Sequence, residues 1–146
     1  MKVFTLGKLD NTDLRFNNNV KMQKEITITS DKEFNSVKII NPKGTNAIYI
    51  IENIGIKVYD DNKLKLCIGE EKCDEDGDKL KIDYKVLNEL NDYIEIKNSY
   101  MVKTKVNEIL NEQIIFILPN GCLILKLDKP INKMKIKIRC KEEKIF

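Results

Sequence analysis

Apolar and polar residues alternate with period two along much of the chain. Lys24 to Thr29 reads K-E-I-T-I-T, Lys63 to Leu66 K-L-K-L, Lys79 to Tyr84 K-L-K-I-D-Y, and Met134 to Lys141 M-K-I-K-I-R-C-K. Successive strand side chains point to opposite faces, so each segment presents one apolar and one polar face, as half-buried antiparallel strands do. Two runs are apolar more continuously: Ala47 to Ile51, extended by Ile54, Ile56 and Val58, and Ile114 to Leu118. They predict central strands. Val3 to Leu6, Val37 to Ile40 and Tyr93 to Lys97 bring the total to about nine or ten strands of ordinary length. The predicted fold class is therefore all-β: an antiparallel two-sheet β-sandwich, jelly-roll-like.

Helix is scarce in this pattern. Tyr84 to Asp92 (Y-K-V-L-N-E-L-N-D) and Lys105 to Glu112 (K-V-N-E-I-L-N-E) carry good helix formers over only about two turns each. They predict one or two short helical connectors or turns. An internal echo is also present: Asp31-Lys32-x-Phe34-Asn35-x-Val37-Lys38-Ile39 repeats as Asp128-Lys129-x-Ile131-Asn132-x-Met134-Lys135-Ile136. If it is more than chance in a chain rich in Lys, Ile and Asn, it reads as two strand-turn-strand units at pseudo-symmetric edges of one sandwich.

The most specific local signal is Gln113 to Leu127, in which Pro119-Asn120-Gly121 interrupts two apolar runs. It predicts a tight hairpin. A two-residue turn puts Phe116 opposite Leu125 and Leu118 opposite Leu123. A bulged three-residue loop puts Phe116 opposite Ile124 and Ile117 opposite Leu123. Both faces of such a hairpin are apolar, so both need cover, and one sheet can cover only one of them. The second cover is either a connector of the same chain, such as Lys105 to Glu112, or another protein. In the latter case Ile115, Ile117, Leu123 and Leu125 are the candidate interface.

Composition removes several kinds of chemistry. The 146 residues contain no His and no Trp. That excludes Ser-His, Cys-His and HExxH sites and leaves only Tyr and Phe as platforms for sugars or bases. No glycine-rich phosphate loop, nucleophile elbow or kinase signature is present, which disfavours an enzyme. Cys67, Cys73, Cys122 and Cys140 match neither a zinc ribbon nor a CxxC motif and read as buried thiols, with a Cys67–Cys73 bridge conceivable only in an oxidising exterior. Asp74, Asp76 and Asp78 flank Gly77 without the EF-hand spacing and read as a solvated hairpin tip, with an irregular Ca²⁺ site as the alternative. No cofactor and no metal are expected.

Charge is close to balanced, with 26 Lys+Arg against 23 Asp+Glu, although residues 61–100 are acidic and residues 101–146 basic. Lys133, Lys135, Lys137, Arg139 and Lys141 recur at every second position and form a candidate basic strip with a spacing of about 7 Å. It could meet phosphates or an acidic protein strip, or guard an exposed sheet edge; the sparse arginine and missing aromatics favour edge protection. Neither a secretory signal pattern nor a membrane-length apolar stretch is present, so synthesis in the cytoplasm is expected.

Residues 1–146 are thus expected to form one β-sandwich domain. Its expected role is non-enzymatic: a structural or assembly protein acting through self-association or docking on a larger body. The specific expectation is a small structural component of a bacteriophage or phage tail-like particle, leaving the cell as part of a virion or particle. The alternative is a carbohydrate-binding or cell-surface recognition module. Nucleic acid is not an expected partner.

Overall fold

A computed structural model describes residues 2–7, 20–71, 77, 79–89 and 92–145. Among these lie nine strands: β1 (Val3–Gly7), β2 (Val20–Ile40), β3 (Ala47–Val58), β4 (Asn62–Glu70), β5 (Lys81–Lys85), β6 (Ile94–Met101), β7 (Asn107–Glu108), β8 (Gln113–Ile117) and β9 (Gly121–Lys144). All pairings are antiparallel. The all-β antiparallel expectation holds at this level. The period-two segments and both continuous apolar runs fall on strands, except that Lys79 and Leu80 precede β5 and Leu118 follows β8.

The strands form one continuous open sheet instead of two separate ones, because β2 and β9 each serve twice. The C-terminal half of β9, Met134 to Glu142, pairs with the start of β2 and with β3. The first half, Gly121 to Leu127, pairs with the end of β2 and with β4. Between these halves the β2–β9 register slips on both sides of the Phe34–Ile131 pair. Such irregularities bend strands and sharpen their twist. The two halves of the sheet contribute to one core: Tyr49, Ile54 and Ile136 from one and Val37, Leu66 and Leu125 from the other belong to the same buried cluster.

The sequence echo falls on this bend. Its two copies are neither strand-turn-strand units nor edges; they lie within β2 and β9 and pair with each other. Ile28 faces Met134 while Val37 faces Leu125, and Phe34 faces Ile131 between them. A local pseudo-two-fold axis relates the copies.

The expected helical connectors are absent from the described residues, where the only helical element is a 3-10 turn at Lys43–Thr45. Two asparagines give the physical reason. Asn107 is buried; its side-chain amide donates to the Ile56 and Val102 carbonyls and its oxygen accepts from the Val102 amide, tying residues 102–107 into a loop. Asn35 accepts from the Leu87 amide at 2.8 Å and donates to the Leu87 carbonyl at 3.0 Å, holding an extended exit from β5. These bonds supply the backbone partners that a short helix would otherwise provide.

The Pro119-Asn120-Gly121 turn joins strands in different halves, so neither hairpin register exists. β8 pairs with β1 and β3, whereas the first half of β9 pairs with β2 and β4. The turn is built for that crossing. Asn120 adopts a left-handed backbone (φ 68°), and the Gly121 amide donates to the Leu118 carbonyl at 2.8 Å. A Cβ on Gly121 would lie 2.6 Å from the Lys2 carbonyl oxygen and 2.9 Å from that of Leu118, so no larger residue fits. Asn41, fully buried, locks the corner from the side by exchanging backbone bonds with Asn120 and Gly121.

Candidate functional site

The four candidate interface residues offer no surface. Ile115, Ile117, Leu123 and Leu125 are each 0% exposed and belong to the main core. The crossing turn sends the two apolar runs into different halves of the sheet, and these side chains join the same buried cluster. Their alternate neighbours are covered as well. Cys122 and Ile124 pack with Ile40, Cys67, Leu87 and Tyr93, and Ile114 and Phe116 pack with Ile50 and the partly buried Ile48 and Leu118.

The basic strip is accessible, but it is not an edge. From Met134 onward β9 runs between β2 and β3, so Lys135, Lys137, Arg139 and Lys141 run down the middle of an outer sheet face, with Lys133 at its end. Edge protection is therefore not their role. Among the described residues, two of the five pair with carboxylates: Lys135 with Glu25 at 2.7 Å and Lys141 with Glu52 at 3.5 Å. Hydrogen bonding to Lys135, then its charge, lowers the Glu25 pKa, and the reciprocal contact raises that of Lys135. Lys133 lies over the Tyr59 ring at 4.8 Å. Beside Lys137 the face is hollowed into two grooves of about 220 and 210 Å³ that share Gly55 and Lys137, the first also lined by Val106 and the second by Glu108 and Arg139.

On the other half of the sheet, the outer face carries a polar cluster that periodicity alone does not reveal. Glu71 Oε2 accepts from Lys38 Nζ at 2.6 Å and from Tyr93 OH at 2.9 Å, with Cys122 Sγ at 3.8 Å. Burial alone would depress Lys38 and raise Glu71; their ion pair reverses both, so Lys38 titrates above and Glu71 below its ordinary value. Burial first, and then the nearby charges, pushes the Tyr93 hydroxyl upward and the Cys122 thiol to about 12. Cys140 is likewise pushed to about 11, and Cys67 is raised, chiefly by burial. Buried thiols held in the protonated form are poor nucleophiles, and no group of this cluster is poised to exchange a proton near neutrality. Its evident work is to fix Tyr93 over the sheet. The only sequence signal is Lys38 itself, one charge inside the apolar Val37–Ile40 run, which demands a counter-ion without naming it.

Among the described residues no group of three or more His, Cys, Asp or Glu is placed to hold a metal ion. Cys73 and the acidic residues Asp74, Asp76 and Asp78 lie outside the described residues. No helix among the described residues is long and apolar enough to cross a membrane. Comparison with protein-family models, with curated proteins and with solved structures gives no match.

Proposed function

We propose that the chain is a non-enzymatic assembly protein that docks through the cationic outer face of β9 onto an acidic protein surface. The observation that carries this reading is the mid-sheet position of the strip. An edge lysine guards against strand pairing, but Lys137 and Arg139 have both neighbouring strands in place and, like Lys133, no carboxylate partner among the described residues. Charges so arranged steer an oppositely charged partner and set its register. The locked protonation states of the Lys38–Glu71–Tyr93–Cys122 cluster support a binding role over acid–base or nucleophilic catalysis.

The reading extends to a small structural component of a bacteriophage or phage tail-like particle, supported by the all-β chain, the lack of catalytic motifs and the basic docking face. A two-layer, jelly-roll-like arrangement belongs to the same proposal; the common core of the two sheet halves and the sharing of β2 and β9 support it. The alternative, a carbohydrate-binding module, draws support from Tyr100, a residue 81% exposed.

Particles released by the native cell, banded on a density gradient and probed for this chain, test the proposal. The protein is expected in the particle band, and Lys137→Glu/Arg139→Glu is expected to leave its thermal melt unchanged while shifting it to the free fraction. A chain that stays at the top of the gradient in its parent form overturns the reading.

A further inference from the structure

The second outer face carries a cationic hollow that has no part in that docking strip. Across the sheet the register lines up Asn98 on β6, Lys65 on β4, Lys126 on β9 and Ser36 on β2. Lys65 and Lys126 are thus directly opposed on adjacent strands, which lie roughly 4.8 Å apart. Like charges in that relation destabilise a sheet, and antiparallel pairs normally avoid it. Two residues away on β4, Lys63 faces Tyr100 on β6 and lies 5.5 Å from its ring centroid. Lys63, Lys65 and Lys126 line a cavity of about 90 Å³ together with Leu127 and Asp128.

Three ammonium groups against one carboxylate leave this cavity with an excess of two positive charges. Among the described residues none of the three lysines makes an ion pair. Lys126 Nζ donates to the Leu127 carbonyl at 3.3 Å, a weak bond that leaves two ammonium protons for another acceptor. Burial, and after it the charge of Lys65, lowers the Lys126 pKa against the opposing pull of Asp128. The opposed lysines are thus held together at a cost that a bound anion would relieve.

We propose that the cavity lined by Lys63, Lys65 and Lys126 binds a tetrahedral oxyanion, phosphate or sulfate. Charge-assisted hydrogen bonds from three ammonium groups suit its oxygens, and the small volume excludes large ligands from the cavity itself. The oxyanion is either free or the ester group of a sugar whose ring rests on the exposed Tyr100.

Titration of the full chain with sodium sulfate and sodium phosphate, followed by NMR at constant ionic strength set with chloride, tests the site. Saturable shifts confined to residues near 63–65 and 126–128 are expected. Lys65→Gln and Lys126→Gln are expected to weaken binding by about tenfold or more, and Lys137→Gln, on the other face, to leave it unchanged. Without anion, Lys126→Gln is expected to melt at or above the parent, because it removes a like-charge pair; a lysine with only a structural role would melt lower. A parallel titration with glucose 6-sulfate separates the sources: binding tighter than inorganic sulfate and weakened by Tyr100→Ala identifies a glycan ester, whereas equal binding identifies the free anion. Shifts that do not saturate, or that survive both lysine substitutions, overturn the proposal.

Discussion

β9 is one strand with two environments, and the contrast between its halves explains most of the molecule. From Gly121 to Leu125 it is apolar on both sides; from Met134 to Lys141 it alternates. In the second half Met134, Ile136, Ile138 and Cys140 enter the core while the basic residues meet solvent. In the first half Leu123 and Leu125 enter that same core, but Cys122 and Ile124 turn outward and are still buried. Their cover comes from this chain's own Leu87 and Tyr93, neither of which lies in a strand. Leu87 is pinned by Asn35 and Tyr93 by Glu71. A two-sided apolar strand here signals two well-anchored side chains from loops, and it needs no second subunit.

The largest effect that would break this contrast lies in the core. Ile115→Ala and Leu123→Ala each open a cavity in the main core and are expected to cost about 2 to 5 kcal/mol. Thermal melts should fall sharply for the pair of changes, with the sedimentation coefficient of the folded fraction unchanged. A double variant that keeps its melting temperature but loses an oligomer would return these residues to an interface.

The outer cover provides a smaller test. A Cβ on Gly69 would stand 2.6 Å from Tyr93 Cε1 and closer still to Cδ1, so the ring rests directly on the β4 backbone. Gly69→Ala should lift Tyr93, detach its hydroxyl from Glu71 and expose Cys122, at a cost of roughly 1 to 3 kcal/mol. Faster labelling of Cys122 by a thiol reagent under native conditions reads this directly. Labelling as slow as in the parent would mean that something other than Tyr93 protects the thiol.

The same contrast marks how far the sequence could be read. Period-two alternation located the strands because side-chain direction alternates whatever lies next to the strand. That signal cannot say which strands pair, and the pairing decided the outcome: Pro119-Asn120-Gly121 marks a turn, but whether it closes a hairpin or crosses between sheet halves depends on the distant Asn41 and Lys2. The basic strip was visible at every second position, yet edge and centre look alike in one dimension. Lys65 and Lys126 are 61 positions apart and become opposed only through the β4–β9 register. The short helices failed for a related reason, since Leu87 and Asn107 sit among helix formers but have tertiary hydrogen-bond partners in Asn35 and Ile56.

The smallest expected effect concerns the ion pair that anchors the cover. Lys38 is 5% exposed, whereas the Glu71 side chain is 30% exposed, so solvent screens the pair in part and its loss should cost less than a fully buried one. Glu71→Gln keeps an acceptor for Tyr93 and is expected to lower stability by about 1 kcal/mol at neutral pH. The sign of the pH dependence follows from the directions of both shifts. Glu71 titrates below its ordinary 4.5 when folded, so its contribution is complete above that value and is lost as the pH falls through the lower folded value. Lys38 titrates above its ordinary 10.5 when folded, so its share is complete below 10.5 and is lost only as the pH rises through the folded value. The stability gap between parent and Glu71→Gln should therefore be flat from about pH 5 to 10 and close on acidification. Thermal melts across that range read the gap; if it stays constant down to pH 2, Glu71 does not anchor Tyr93 through its charge.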